Sequence, residues 1–171
     1  MKPVDVVGVR VEMPTNQPIV LLRERDGERY LPIWIGAVEA TAIAYAQQGV
    51  EPARPLTHDL LADVVAGLGH ELVEVQITDL SDGVFYADLV FDGGRTISAR
   101  PSDAIALALR VDAPVVASPE VLDEAGIALP DDEDETDGEA GDTPPPEGEL
   151  ERFREFLEGV SPEDFGSPDP S

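Results

Sequence analysis

The chain has no cysteine, a single tryptophan, and 11 basic residues against 36 acidic ones. No apolar run approaches membrane-spanning length. Each shortage excludes something. Without cysteine there are no disulfides and no thiolate chemistry, which fits a reducing compartment. A formal net charge of −25 repels phosphate backbones unless a local basic patch or divalent cations intervene, because non-specific affinity for nucleic acid is mainly electrostatic. Composition therefore argues against a simple nucleic-acid binder. The start, Met1-Lys2-Pro3-Val4-Asp5, puts an acid where a signal peptide has its apolar core. With no membrane-length run either, the sequence reads as a soluble, cytoplasmic protein with no membrane partner.

What is present is unevenly spread. Residues 1–129 carry 20 acids against 9 bases, and residues 130–171 carry 16 against 2. With 42% hydrophobic residues over 171 positions, one core fits, and it belongs to residues 1–129. Residues 130–149 are Asp, Glu, Gly, Thr and Pro with one Ala, too polar to offset the entropy of ordering, and are expected to be a disordered acidic linker. Residues 150–171 begin with Leu150, Phe153 and Leu157 on one helical face beside Arg152 and Arg154. They read as a short amphipathic helical tail able to dock on the domain, a second copy or a protein partner.

Within residues 1–129 one order of elements occurs twice. Val7, Val9 and Val11 alternate with polar residues or glycine as in a half-buried strand. Strands over Ile19–Arg25 and Arg29–Ile35 follow, joined at Asp26-Gly27. An Ala-rich helix over Ala37–Gln48 then starts at Gly36 and ends at Gly49. Further on, Val73, Val75 and Ile77 alternate, Ser81-Asp82-Gly83 turns, Val84–Phe91 meets Arg95–Ala99, and a helix begins at Arg100-Pro101. The offsets are 66 at the first strand and 64 at the helix. The expected fold class is thus α+β: a duplicated β-β-β-α unit closing around a shared core. Between the copies Thr57 is expected to cap a helix over His58–Leu68, with Leu60, Leu61, Val64, Val65 and Leu68 as its apolar face. After the second copy, Pro114–Ala117 reads as a short strand and Pro119–Ala125 as a helix capped by Ser118. The second-copy helix has no polar side chain from Ala104 to Leu109 and should run through the middle of the core.

Three separated stretches carry a resemblance. They are Leu31-Pro32-Ile33-Trp34-Ile35-Gly36 with Glu39-Ala40, then Arg54-Pro55-Leu56-Thr57-His58-Asp59-Leu60-Leu61, then Ser98-Ala99-Arg100-Pro101-Ser102-Asp103-Ala104-Ile105-Ala106-Leu107-Ala108. In this order over residues 1–129 the chain resembles the bifunctional nuclease (BFN) domain family, in a bacterial, actinobacterial form. The resemblance implies an α+β domain hydrolysing phosphodiester bonds of DNA and RNA with help from a divalent metal, Mg or Mn. It brings no settled catalytic set with it.

Such hydrolysis needs a cation at the phosphate, a group that activates water, and carboxylates to hold a metal. Arg100 and Arg54 are the candidate phosphate contacts, since guanidinium binds phosphate bidentately and stays charged. His58, Asp59, Asp103 and Glu39 are the candidates for proton transfer or metal binding. Each has a quieter explanation. Glu39 and Asp103 fall at the third position of their helices, where a carboxylate caps free amides. Asp59 sits in a first turn that Thr57 already caps. Arg100 can pair with Asp103, Glu39 or Asp59. His70 reads as a helix-end histidine, and Trp34, Tyr30 and Tyr45 as core or interface residues rather than a base-stacking platform. The competing reading is a non-catalytic, oligomeric binding or regulatory module, a dimer or larger, that recruits a protein partner through its acidic tail.

Overall fold

The structure, a computed structural model, describes residues 1–128; the linker and helical tail expected beyond them lie outside the described residues. In chain order the elements are β1 (Lys2–Glu12), β2 (Gln17–Glu24), β3 (Arg29–Trp34), α1 (Ala37–Gln47), α2 (Thr57–Gly67), β4 (Leu72–Ser81), β5 (Val84–Phe91), β6 (Arg95–Ala99), α3 (Pro101–Val111), β7 (Val115–Ala117), α4 (Pro119–Ala125) and β8 (Ile127–Ala128). The strands join one sheet in the order β6-β5-β4-β7-β1-β2-β3-β8. All neighbours are antiparallel except β4 and β7, so this is a mixed sheet in an α+β domain. Short turns set the local pairing. Asp82 and Gly83, both at positive φ (52° and 77°), form the two-residue turn between β4 and β5, which matches the twist of the strands it joins.

The uncharged stretch of α3 is the centre of the core. Residues Ala104–Ala108 are all buried, and the helix packs on β4 and β5 with α1 and α2 beside it. Ile105 and Leu107 share one buried cluster with Val75, Ile77, Ala87 and Leu89 of β4 and β5; each fully buried aliphatic side chain contributes about 1.5–3 kcal/mol. Ser118 caps α4 as expected, its Oγ accepting from the Val121 amide at 3.1 Å.

Two expectations about burial fail for identifiable reasons. Val7 and Val73 are exposed because the pairing slips at each, between Val6 and Gly8 in β1 and between Leu72 and Glu74 in β4. A residue left out of the ladder in this way is turned off the core face. The inward positions are Val4 and Leu72 instead. The apolar face of α2 is the second failure. Leu60, Leu61, Val64 and Leu68 all stand in solvent, Leu68 at 72%, and in this helix only His58 is buried. β8, two residues long, pairs Arg29 and Tyr30 with Ala128 and Ile127 at the sheet edge; its pattern is too short to read from sequence.

Candidate functional site

Three helices begin around one cluster of charged side chains. Pro101 suits the first position of α3, where its missing N–H costs nothing, and this leaves Arg100 as an extended N-cap residue (φ −70°, ψ 142°). Asp103 follows in the first turn. Its Oδ2 accepts from Arg100 Nε at 2.7 Å, and its Oδ1 lies 3.0 Å from His58 Nε2 in the first turn of α2. Arg100 Nη2 also donates to Glu39 Oε1, in the first turn of α1, at 2.8 Å. The result is a continuous chain Glu39–Arg100–Asp103–His58 across α1, α3 and α2. Asp103 is therefore not the helix cap that its position suggested, because both of its oxygens face other side chains.

Capping falls elsewhere. Leu56, not Thr57, is the N-cap residue of α2, and a leucine side chain cannot accept a hydrogen bond. Asp59 fills the role: its Oδ2 accepts from the Leu56 amide at 2.8 Å, while Oδ1 takes Arg110 Nε. Arg110 and Leu56 together hold the Asp59 carboxyl below its ordinary value. Both oxygens are thus engaged, one capping α2 and the other joining it to α3. Arg54 stands exposed in the loop before α2 and joins none of these contacts. His70 Nδ1 sits 3.1 Å from Asp92 Oδ1, at the far end of α2.

The cluster has a defined protonation pattern. Burial pushes the Asp103 carboxyl up, but the Arg100 and His58 bonds outweigh it and leave it below the usual carboxylate range. Glu39 is lowered by its own amide and then by Arg100; the guanidinium is raised in return, first by Asp103 and then by Glu39. Both acids are therefore anionic near neutral pH. An anionic Asp103 requires a proton on His58 Nε2, which assigns the tautomer and leaves Nδ1 as the basic nitrogen. Nδ1 has no hydrogen-bond partner among the described residues and is not sealed from solvent. A histidine oriented by a carboxylate, with a free second nitrogen, can move a proton. One guanidinium nitrogen, Nη1 of Arg100, is also without a partner among the described residues.

A divalent metal fits this arrangement poorly. Among the described residues no three His, Asp or Glu side chains gather as ligands, and the oxygens of Asp103 and Asp59 are already taken by cationic or N–H donors.

A model of the bifunctional nuclease domain matches residues 20–130. The chain belongs to this family. Over 165 residues it is 58% identical to an uncharacterized protein of Mycobacterium tuberculosis, covering 96% of this chain and 98% of that one. Bifunctional nuclease 2 of Oryza sativa subsp. japonica is 31% identical over 115 residues, 63% of this chain and 35% of the plant protein. Bifunctional nuclease 2 of Arabidopsis thaliana is 30% identical over 106 residues, 58% of this chain and 32% of its own length. This bifunctional nuclease domain thus matches about a third of each plant relative. The matched region takes in α1, α2 and α3 and with them the whole cluster.

One feature of the site escaped sequence reasoning. Trp34, expected in a core or interface, is half exposed at the end of β3, and it shares a groove with Arg100. The two are 66 positions apart in sequence, and the fold brings them to one groove.

Proposed function

We propose that this domain hydrolyses phosphodiester bonds of DNA and RNA at the Arg100–Asp103–His58 cluster. The observation that carries the reading is the Asp103–His58 contact, a histidine held by a carboxylate next to an exposed guanidinium. His58 Nδ1 takes a proton from the attacking water as the water oxygen bonds to phosphorus. The P–O bond on the opposite side breaks, the leaving oxygen takes a proton from solvent, and His58 later returns its own proton to solvent. Asp103 is a positioning residue that fixes the tautomer of His58. Arg100 receives the phosphate through its remaining donors, and Arg54 supplies a second cation from its loop. Glu39 steadies Arg100, whereas Asp59, engaged by Arg110 and the Leu56 amide, serves the fold. No step is routed through Mg or Mn, because the donors do not gather.

Hydrolysis of single-stranded and duplex substrates by wild type, His58→Ala, Asp103→Asn and Arg100→Ala, with and without chelator, tests this. Losing the proton-transfer group should slow hydrolysis by about 10²–10⁴-fold. Asp103→Asn should in addition alter the pH profile of kcat/KM and the nitrogen NMR shifts of the His58 ring. Hydrolysis undiminished in all three variants would place the reaction elsewhere, and hydrolysis abolished by chelator alone would restore a metal to the mechanism.

A second reading has its own support. The exposed apolar residues of α2 form a face that a soluble monomer rarely leaves open, which favours an oligomeric binding module, with or without catalysis. The proposed duplication is supported by two of the three ladder slips, at Val7 and Val73, which repeat the offset of 66; the third, between Ile77 and Asp79 in β4, has no counterpart in β1.

A further inference from the structure

Resting on the nuclease reading, we infer that the groove beside Arg100 holds one unpaired nucleotide of the substrate, with its base stacked on Trp34 and its phosphate at Arg100. The groove encloses about 360 Å³ between the end of β3, the β4–β5 turn and the starts of α1 and α3. That lies at the small end of ligand pockets, room for one nucleotide. Trp34 offers about half of its surface to solvent, yet its indole N–H donates to Glu12 Oε2 at 2.9 Å, which fixes the ring. Val84 and Phe85 add apolar wall. Opposite charges meet the phosphate: Arg100 starts α3 without a side-chain cap, so first-turn amides of that helix remain as anion donors beside the guanidinium, whereas the start of α1 is already covered by Glu39.

Charge also limits what this groove binds. Arg100 is one cation shared by two carboxylates, in a chain of net charge −25. Phosphate alone is therefore held weakly, and the stacked base must supply much of the affinity. A base within a duplex has both faces covered already, so only an unpaired one can present a face to Trp34. The substrate class is single-stranded or locally unpaired nucleic acid, and its binding should depend less on salt than that of a basic nucleic-acid binder.

Trp34 is the sole tryptophan, so intrinsic fluorescence of the full chain reports on the groove directly. Titration with adenosine 5′-monophosphate should give a saturable change, and inorganic phosphate none over the same range. By calorimetry, Trp34→Ala should weaken the monophosphate about tenfold or more, the effect of one lost base stack, while Trp34→Phe restores most of it. With a single-stranded oligonucleotide, Trp34→Ala should raise KM and leave kcat nearly unchanged. Absence of both signal and heat at millimolar nucleotide, or Trp34→Ala binding as wild type, would overturn the groove. Hydrolysis with an unchanged KM in Trp34→Ala would also overturn it, while leaving the nuclease reading standing. Saturable binding by a protein that hydrolyses nothing would support the groove and sink the nuclease reading.

Discussion

The starts of α1 and α3 occupy corresponding places, 64 residues apart, and they are built differently. Each carries an acid in its first turn, Glu39 in one and Asp103 in the other. The N-cap residue is Gly36 in the first and Arg100 in the second. A Cβ at Gly36 would run into the Glu39 carboxylate, so glycine leaves room for that acid to fold back over the helix start. Arg100 then reaches across and holds both acids. One arginine serves two helix starts, and only the second acid also meets a histidine. The cluster is thus asymmetric although both helix starts carry an acid in the first turn: α1 contributes an anchor, and α3 with α2 contributes the groups able to move a proton.

The bodies of the two helices differ more than their starts, and the largest expected effect lies there. Leu107 in α3 is fully buried, whereas Val38 in α1 is 78% exposed. Leu107→Ala should destabilise the domain by about 2–5 kcal/mol, from lost transfer energy plus a cavity. Val38→Ala should stay within about 0.5 kcal/mol. Urea denaturation of both variants checks the contrast, and equal losses would mean that the outer face of α1 is covered in solution.

Acid should expose the charge bridge between the two starts. Glu39 and Asp103 both titrate below their ordinary values of 4.5 and 3.8 when folded. The unfolded chain therefore binds more protons in that range, so stability is full above about pH 5 and falls as pH drops through the folded values. Without the guanidinium both acids move back toward their ordinary values. The fall in stability on acidification should then be shallower in Arg100→Gln than in wild type, measured by urea midpoints at a series of pH values. Because Arg100 is two-thirds exposed, water screens the bridge, and the change of slope should be small.

Much of the frame could be read from residues alone, because its signals are local. Asp82-Gly83 marks a tight turn, Ser118-Pro119 a capped start, and Ala104–Leu109 a buried helix, each within a few positions. What could not be read depends on partners distant in sequence. The slips at Val7 and Val73 are properties of strand pairs, and an alternating pattern in one strand is blind to them. Leu60, Leu61, Val64 and Leu68 do form the apolar face that periodicity implies, but periodicity does not say what covers it. At the site, His58, Asp103, Glu39 and Arg100 were all visible as candidates. Their contacts were not, since spacing places an acid in a first turn without saying whether it turns to its own amides or to another helix. Asp59 and Asp103 share that position and resolved oppositely, the first as a cap and the second as a bridge to His58.

The smallest expected effect tests why the two N-cap residues differ. Gly36 has φ −74° and ψ 155°, a conformation open to any residue, so glycine is not needed there for backbone freedom. Its value must lie in space. Gly36→Ala should push the Glu39 carboxylate away from the helix start and from Arg100, costing about 0.5–1 kcal/mol, comparable to a lost first-turn carboxylate contact. If the loss comes from that collision it should vanish in a Glu39→Ala background, where nothing remains to displace; a double-mutant cycle read by urea denaturation measures the difference. A loss that persists without Glu39 would rule out that collision as its cause, since the Glu39 carboxylate supplies the nearest atoms to a Cβ at Gly36.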